Sequence, residues 1–492
     1  MRTVDAAAGD PADLGVVEAA ALLRAGQLSA TELTEACLAR VRERNGGEPT
    51  LDGDPAAINA WARLYEAQAR EGARAADERR ARERDRAPLL CGIPIGVKDI
   101  YAIGGLPLTA SSRVLEGNVP EHDATVWARL RDDGMVLIGH THTHEFAAGG
   151  TTDQVGNPWS ETRIVGGSSG GSAAALAAGM VPATLGTDTC GSLRIPSACC
   201  GTSAIKPTHG RLPLDGIIPL AATLDHPGPM ARTVADCAAL LAAMAHGGAA
   251  ATALHPPPAP LADLPLSPRP GPRPLSGLTV ALTDRPEKAS AQTEVADALG
   301  TARRACERLG ARVVSAPAPW AHDWDDLSAV LMTEAWAYHR RYADRFDRYR
   351  PAIAEFLEGA RAFTDVGAYI RAQRHRCEGT ELWERWLSER EIDLVLEPTL
   401  PLVPYDRGPG YDRGHPAGAG DPLIALTALW DMTGMPVVSL PVSCRVGVSL
   451  IAARGREAAL IAAAIDLQEH ELGVPHWTPA AERIESTDPE GR

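Results

Sequence analysis

Hydrophobic and polar positions change their spacing several times along the chain, and each change predicts an element. The first 90 residues read as helical. Ser29 and Glu32 fit a capping box ahead of the amphipathic run ELTEACLARVRER. Residues 56–84 are rich in Ala, Arg and Glu, which predicts a long surface helix. At PLLCGIPIGVKDI the texture turns to a short apolar run suited to a buried strand. DATVWARLRDDG predicts a helix ending at Gly134, and MVLIG a second buried strand. The Ala-rich residues 172–179 predict a helix closed by Pro182, and VADCAALLAAMAHGG predicts another. LTVALTD, ARVVSAP, DLVLEP and MPVVSLPV read as strands; 293–309, 326–389 and 457–470 read as helical. Helices alternating with buried strands point to an α/β fold, with helices around a central sheet.

The pattern also suggests an organisation. An N-terminal helical part covers 1–88 and a core covers 89–250. A Pro-rich, semi-rigid connector covers 255–276, and 277–492 complete the sheet. All belong to one domain of 492 residues without internal repeats.

Composition removes several function classes. The net charge of -15 argues against a nucleic-acid partner, which requires a basic face, and against an anionic membrane. The start, MRTVDAAAGDPADLG, lacks the apolar stretch of a signal peptide. The most apolar run, 173–185, is too short to span a bilayer and is broken by Gly179 and Pro182. Nine cysteines include no C-x-x-C pair, which suggests a reducing, cytoplasmic compartment.

Candidate chemistry concentrates in GGSSGGS, residues 166–172, and TDTCGSLR, residues 187–194. A phosphate loop would have the right gap between Gly166 and Gly171, but Ser172 takes the place of the essential lysine. The segment 167–171 also matches the G-x-S-x-G nucleophile elbow, which needs a preceding strand; NPWSETRI precedes it here. A third reading joins the two stretches. Ser192 attacks an acyl carbon, a buried lysine of depressed pKa takes its proton, and a second serine relays it. Glycine-rich backbone ahead of Ser192 aims N–H groups at the developing oxyanion. The chain holds only three lysines, Lys98, Lys206 and Lys288, and the residues alone leave Lys98 and Lys206 in competition. Two other features suggest sites. If extended, His140, His142 and His144 share one face and could hold a metal, the basis of a metal-dependent amidohydrolase alternative. Six tryptophans, at 320, 324, 336, 383, 386 and 430, are candidates for core or for an acyl pocket.

Several segments together resemble the amidase signature family of serine hydrolases. They are GIPIGVKDI, HTHTHEFAAGGTTD, NPWSETRIVGGSSGGSAAALAAGM, LGTDTCGSLRIPSACCG, IKPTHGRL and LDHPGPMAR, with weaker likeness in SGLTVALTD and TGMPVVSLP. The resemblance implies a central mixed sheet surrounded by helices and amide hydrolysis through a serine acyl-enzyme. It implies Lys98 as base, Ser168 as relay after a cis peptide bond, and Ser192 as nucleophile. Backbone N–H groups of Thr189, Cys190, Gly191 and Ser192 would form the oxyanion hole, with Ser169 assigned to substrate binding. Lys206 then has a structural hydrogen-bonding role and Lys288 is solvated. No metal or other cofactor is expected. The expected partner is a small-molecule amide, with a homodimer as the assembly entertained. An alternative is the A subunit of a tRNA-dependent amidotransferase, which needs a B subunit. The chain departs from the family at Cys190 and Ala204, where glycine is usual.

Overall fold

The computed structural model describes residues 9–475, apart from 55, 247, 249–257, 259, 262 and 408–420. Among the described residues eleven strands form one sheet: β1 Trp61–Leu64, β2 Pro94–Lys98, β3 Val136–Thr141, β4 Ala183–Asp188, β5 Ser203–Lys206, β6 His226–Ala231, β7 Thr279–Leu282, β8 Arg312–Ser315, β9 Leu394–Pro398, β10 Val437–Pro441 and β11 Gly447–Ile451. Their spatial order is β1-β3-β2-β4-β6-β5-β10-β11-β9-β7-β8. β2 runs parallel to β3 and β4, and β7 runs parallel to β8 and β9. The other neighbours are antiparallel, so the sheet is mixed. Helices surround it, as the alternating pattern predicts. Six central strands, β2, β4, β5, β6, β10 and β11, are buried at every position. Helices covering both faces of a sheet require such continuously buried strands.

The sheet crosses from the first half of the chain to the second where β5 pairs with β10, at Lys206↔Val437 and Ala204↔Ser439. Part of the Pro-rich connector, at 255–257, 259 and 262, lies outside the described residues. Among the described residues no helix is long and apolar enough to cross a membrane.

Local sequence dictates many boundaries. The Ser29–Glu32 capping box forms at the start of the helix Ala30–Arg44. The expected helix over 56–84 is shorter, Glu66–Glu83, because β1 precedes it. Trp61 is fully buried and pairs with Thr141 of β3, so tertiary burial decides this stretch against its helix-rich surroundings. The strands β4, β5, β6 and β11 carry no clear apolar alternation. β6, HPGPMA, even holds two prolines, which lack the N–H that a ladder needs. Both prolines lie in its pairing with β4, at Pro227↔Thr187 and Pro229↔Leu185, whereas its pairing with β5 covers only Met230 and Ala231.

Candidate active site

Lys98 is the last residue of β2, whose neighbours β3 and β4 exclude water from it. Its Nζ donates to Ser168 Oγ at 2.7 Å and to Thr187 Oγ1 at 2.9 Å. Burial disfavours the ammonium and lowers its pKa to about 7, against the opposing pull of Asp188 and Asp225. A neutral amine with one lone pair is therefore available near neutrality. Lys206 is equally buried and also lowered to about 7, yet its Nζ donates to the Pro207 carbonyl at 3.2 Å. Geometry thus separates two lysines that residue type and spacing alone leave in competition. Lys288 is exposed and pairs with Asp284 at 2.8 Å.

Ser168 lies in a loop that leads straight into the helix Gly170–Ala177, with no strand before it. The arrangement therefore differs from a nucleophile elbow. The Gly167–Ser168 peptide is cis. A Cβ on Gly167 would overlap the Thr151 backbone, so only glycine fits this close approach. The Ser168 carbonyl accepts from the His144 N–H at 3.0 Å and from Thr152 Oγ1 at 3.1 Å, which fixes the loop. The Ser169 hydroxyl is fully buried and bonded to the Thr187 backbone, donating to its carbonyl at 3.2 Å. The Ser169 N–H donates to the Ser192 carbonyl at 3.3 Å, bringing the two serine stretches together. Ser192 is 6% exposed, against 0% for Ser168, so it is the more accessible of the two hydroxyls. Among the described residues no hydrogen bond joins those two hydroxyls to each other.

The loop that carries Ser192 rests on a fully buried ionic network. Asp188 accepts from Arg194 Nε at 2.7 Å and Nη2 at 3.0 Å. Its carboxylate also takes the Gly191 N–H at 2.5 Å and the Leu193 N–H at 3.3 Å. Arg194 reaches on to Asp431 at 2.5 Å and to the Thr427 carbonyl at 3.1 Å. Thr189 Oγ1 donates to Asp225 at 2.6 Å. Burial pushes that carboxyl up to about 7. Burial also raises the Cys190 thiol well above its ordinary value, and Asp431 and Asp188 add to the effect. The thiol stays protonated at neutral pH, which weakens it as a nucleophile. Thr187, Asp431 and Thr427 are partners that motif reading missed. Thr187 lies beside Asp188 in TDTCGSLR, but Thr427 and Asp431 are more than 230 residues away, with no local signal.

The three histidines do not share a face, because β3 ends at Thr141. His140 contacts Tyr65 Oη and the Tyr101 carbonyl, and His142 contacts Ser111 Oγ and the Thr50 carbonyl. His144 packs against Gly149. Among the described residues no group of three His, Cys, Asp or Glu side chains is placed to hold a metal. The tryptophans divide as core would. Trp383, Trp386 and Trp430 stack edge-on, and Trp383 Nε1 donates to the Trp320 carbonyl at 3.1 Å. Trp336 is half-buried, with Arg361 over its ring.

Comparison with known proteins places this arrangement. The A-chain component of the glutamyl-tRNA(Gln) amidotransferase of Myxococcus xanthus is 36% identical over 468 residues, spanning 87% of this chain and 90% of that protein. Its counterpart in Chloroflexus aurantiacus is 52% identical over 233 residues, 46% of each; there the chain spans about half the length of the relative it matches. Among solved structures, 6-aminohexanoate cyclic dimer hydrolase in complex with substrate superposes with a TM-score of 0.77 at 27% identity, over 94% of this chain and 98% of that one. Native peptide amidase from Stenotrophomonas maltophilia gives 0.73 at 26% identity, over 93% and 97%. The Amidase family matches residues 54–461, the span that holds Lys98, Ser168, Ser192 and the sheet around them, and the chain belongs to that family.

Proposed function

We propose that this chain cleaves a carboxamide through an acyl-enzyme on Ser192, with Ser168 as relay and Lys98 as base. The observation that carries the reading is the buried Lys98 Nζ at 2.7 Å from Ser168 Oγ, with a pKa of about 7. Ser192 Oγ attacks the carbonyl carbon, its proton passes to Ser168, and the Ser168 proton passes to Lys98. The carbon–nitrogen bond then breaks as the relay returns a proton to the leaving nitrogen. Water, activated by the same relay, cleaves the ester. For the proton to pass, Ser192 Oγ comes within hydrogen-bond reach of Ser168 Oγ when substrate binds. A fluorophosphonate followed by mass spectrometry tests the assignment. The adduct is expected on Ser192; an adduct on Ser169 would support the elbow reading and sink this one.

A second reading is favoured by the long match to the Myxococcus xanthus protein. In it the chain is the A subunit of a tRNA-dependent amidotransferase, and the same cleavage releases ammonia from glutamine for a partner protein. Glutamine hydrolysis that rises on adding a co-purifying protein selects this reading. Turnover of simple amides by the isolated chain, unaffected by any partner, selects the stand-alone amidase.

Two further results are expected. Prolonged treatment with a strong chelator should leave turnover unchanged, because the His140 and His142 rings are hydrogen-bonded to protein groups and, among the described residues, no three ligands converge on a metal position; a loss that zinc restores would revive the metal reading. Cys190→Gly should keep turnover while shifting preference towards bulkier acyl groups, since it removes a buried side chain two residues before Ser192 on the same loop. A shift of about 1–3 kcal/mol in relative kcat/KM across an acyl series is the scale for such a volume change. Loss of all turnover in both Cys190→Gly and Cys190→Ser, with the protein folded, would assign the thiol a chemical role.

A further inference from the structure

The Cys190–Gly191 peptide is held at both ends. Its carbonyl accepts from Thr427 Oγ1 at 2.5 Å, and its N–H donates to Asp188 Oδ1 at 2.5 Å. These two partners are themselves joined. Arg194 donates from Nε and Nη2 to Asp188 and from Nη1 to the Thr427 carbonyl. The result is a closed ring: Cys190 carbonyl, Thr427, Arg194, Asp188, Gly191 N–H. Every side chain in it is buried, with Thr427 at 1% exposure and Asp188 and Arg194 at 0%. Gly191 adopts φ +131, and a Cβ there would overlap the Thr427 side chain, so the ring closes only around glycine. Among the described residues the N–H groups of Thr189, Cys190 and Ser192 have no acceptor, whereas that of Gly191 has one.

We propose that Thr427 is a positioning residue for the oxyanion hole, an inference that rests on Ser192 being the nucleophile. By holding the Cys190 carbonyl, Thr427 turns the Gly191 N–H inward to Asp188. The Thr189, Cys190 and Ser192 N–H groups, which no protein acceptor takes, are then left for the oxyanion. Gly191 is not an oxyanion donor. The C-terminal part of the chain thereby sets the geometry of a loop more than 230 residues away. Such fixed donors lower the barrier because they need no reorientation as charge develops. Among the described residues Thr427 makes no hydrogen bond to Lys98 or Ser168, so its loss should leave the base alone.

The test measures the rate of fluorophosphonate labelling at Ser192 as a function of pH in wild type, Thr427→Val, Thr427→Ala and Thr427→Ser. Val and Ala both lack the donor, so a folding defect in one leaves the other. Removing one oxyanion donor typically costs on the order of 10²–10³ in rate, and the donor-free variants should slow by about 100-fold. Thr427→Ser should recover to within a few-fold, and the pH midpoint should stay at the wild-type value in all four. Wild-type rates in the Val and Ala variants overturn the inference while leaving Ser192 as nucleophile. So does equal slowing in Thr427→Ser, or a moved midpoint, either of which marks a general disturbance of the site. Wild type labelled elsewhere than Ser192 overturns both this inference and the reading beneath it.

Discussion

Ser192→Ala is expected to lose on the order of 10⁶-fold in kcat, the scale seen when a serine hydrolase loses its nucleophile. No neighbour can replace it. The Ser169 hydroxyl is tied to the Thr187 backbone, and the Cys190 thiol is kept protonated by burial and by Asp431 and Asp188. The substitution removes one hydroxyl, and the backbone bond from Ser169 to the Ser192 carbonyl needs no side chain, so the fold should persist. Measuring amide turnover and thermal stability on the same preparation separates the effects. Residual activity within about 100-fold of wild type, with Tm unchanged, would show that another group carries the acyl chain.

Lys98→Ala should lower turnover by about 10²–10⁴-fold, the usual contribution of a general base. Lys98→Arg should not restore it, because a guanidinium stays charged and cannot accept the Ser168 proton. The pH dependence follows from the same lysine. Burial lowers its pKa to about 7, so the neutral form dominates above that pH and the ammonium below. Only the neutral amine accepts a proton, so the acylation rate should rise about tenfold per pH unit below the midpoint and level off above it. A rate flat from about pH 5 to 9, or a fully active Lys98→Arg, would remove Lys98 from this role. Asp188 and Asp225 hold the pKa up, so neutralising Asp225 as Asp225→Asn should move the midpoint to lower pH.

Much of this molecule is legible in its sequence, for local reasons. Capping, turn glycines and buried apolar runs depend on neighbours in the chain, so the helix Ala30–Arg44 and the strands β2, β3, β7, β8, β9 and β10 follow from short stretches. The motifs around Lys98, Ser168 and Ser192 carry the family, because side-chain type and spacing survive without knowledge of the fold. The sheet order is not local. Nothing in HPGPMA announces a strand between β4 and β5, since its prolines argue against one and its register is supplied by the neighbouring strands. β1 is likewise decided by the burial of Trp61 against β3.

The sequence by itself determined which chemistry the chain carries: two serine stretches among glycines, three lysines, and motifs of one hydrolase family. The family resemblance implied Lys98 rather than Lys206 as the base, and the tertiary structure supplies the physical reason that Lys98 is the lysine that meets a serine. Lys98 and Lys206 are both buried and both lowered to about 7, so burial cannot choose between them. Distance does, because β2 and the loop before Gly170–Ala177 bring Lys98 Nζ to Ser168 Oγ, whereas β5 turns Lys206 to the Pro207 carbonyl. The same holds for the histidines, whose alternation predicts a shared face that ends with the strand at Thr141. Thr427 and Asp431 reach the loop that carries Ser192 only because β5 pairs with β10 and brings the C-terminal part of the chain against it. Hydrogen bonds act over about 3 Å; spacing along the chain says nothing about such contacts between residues more than 230 positions apart.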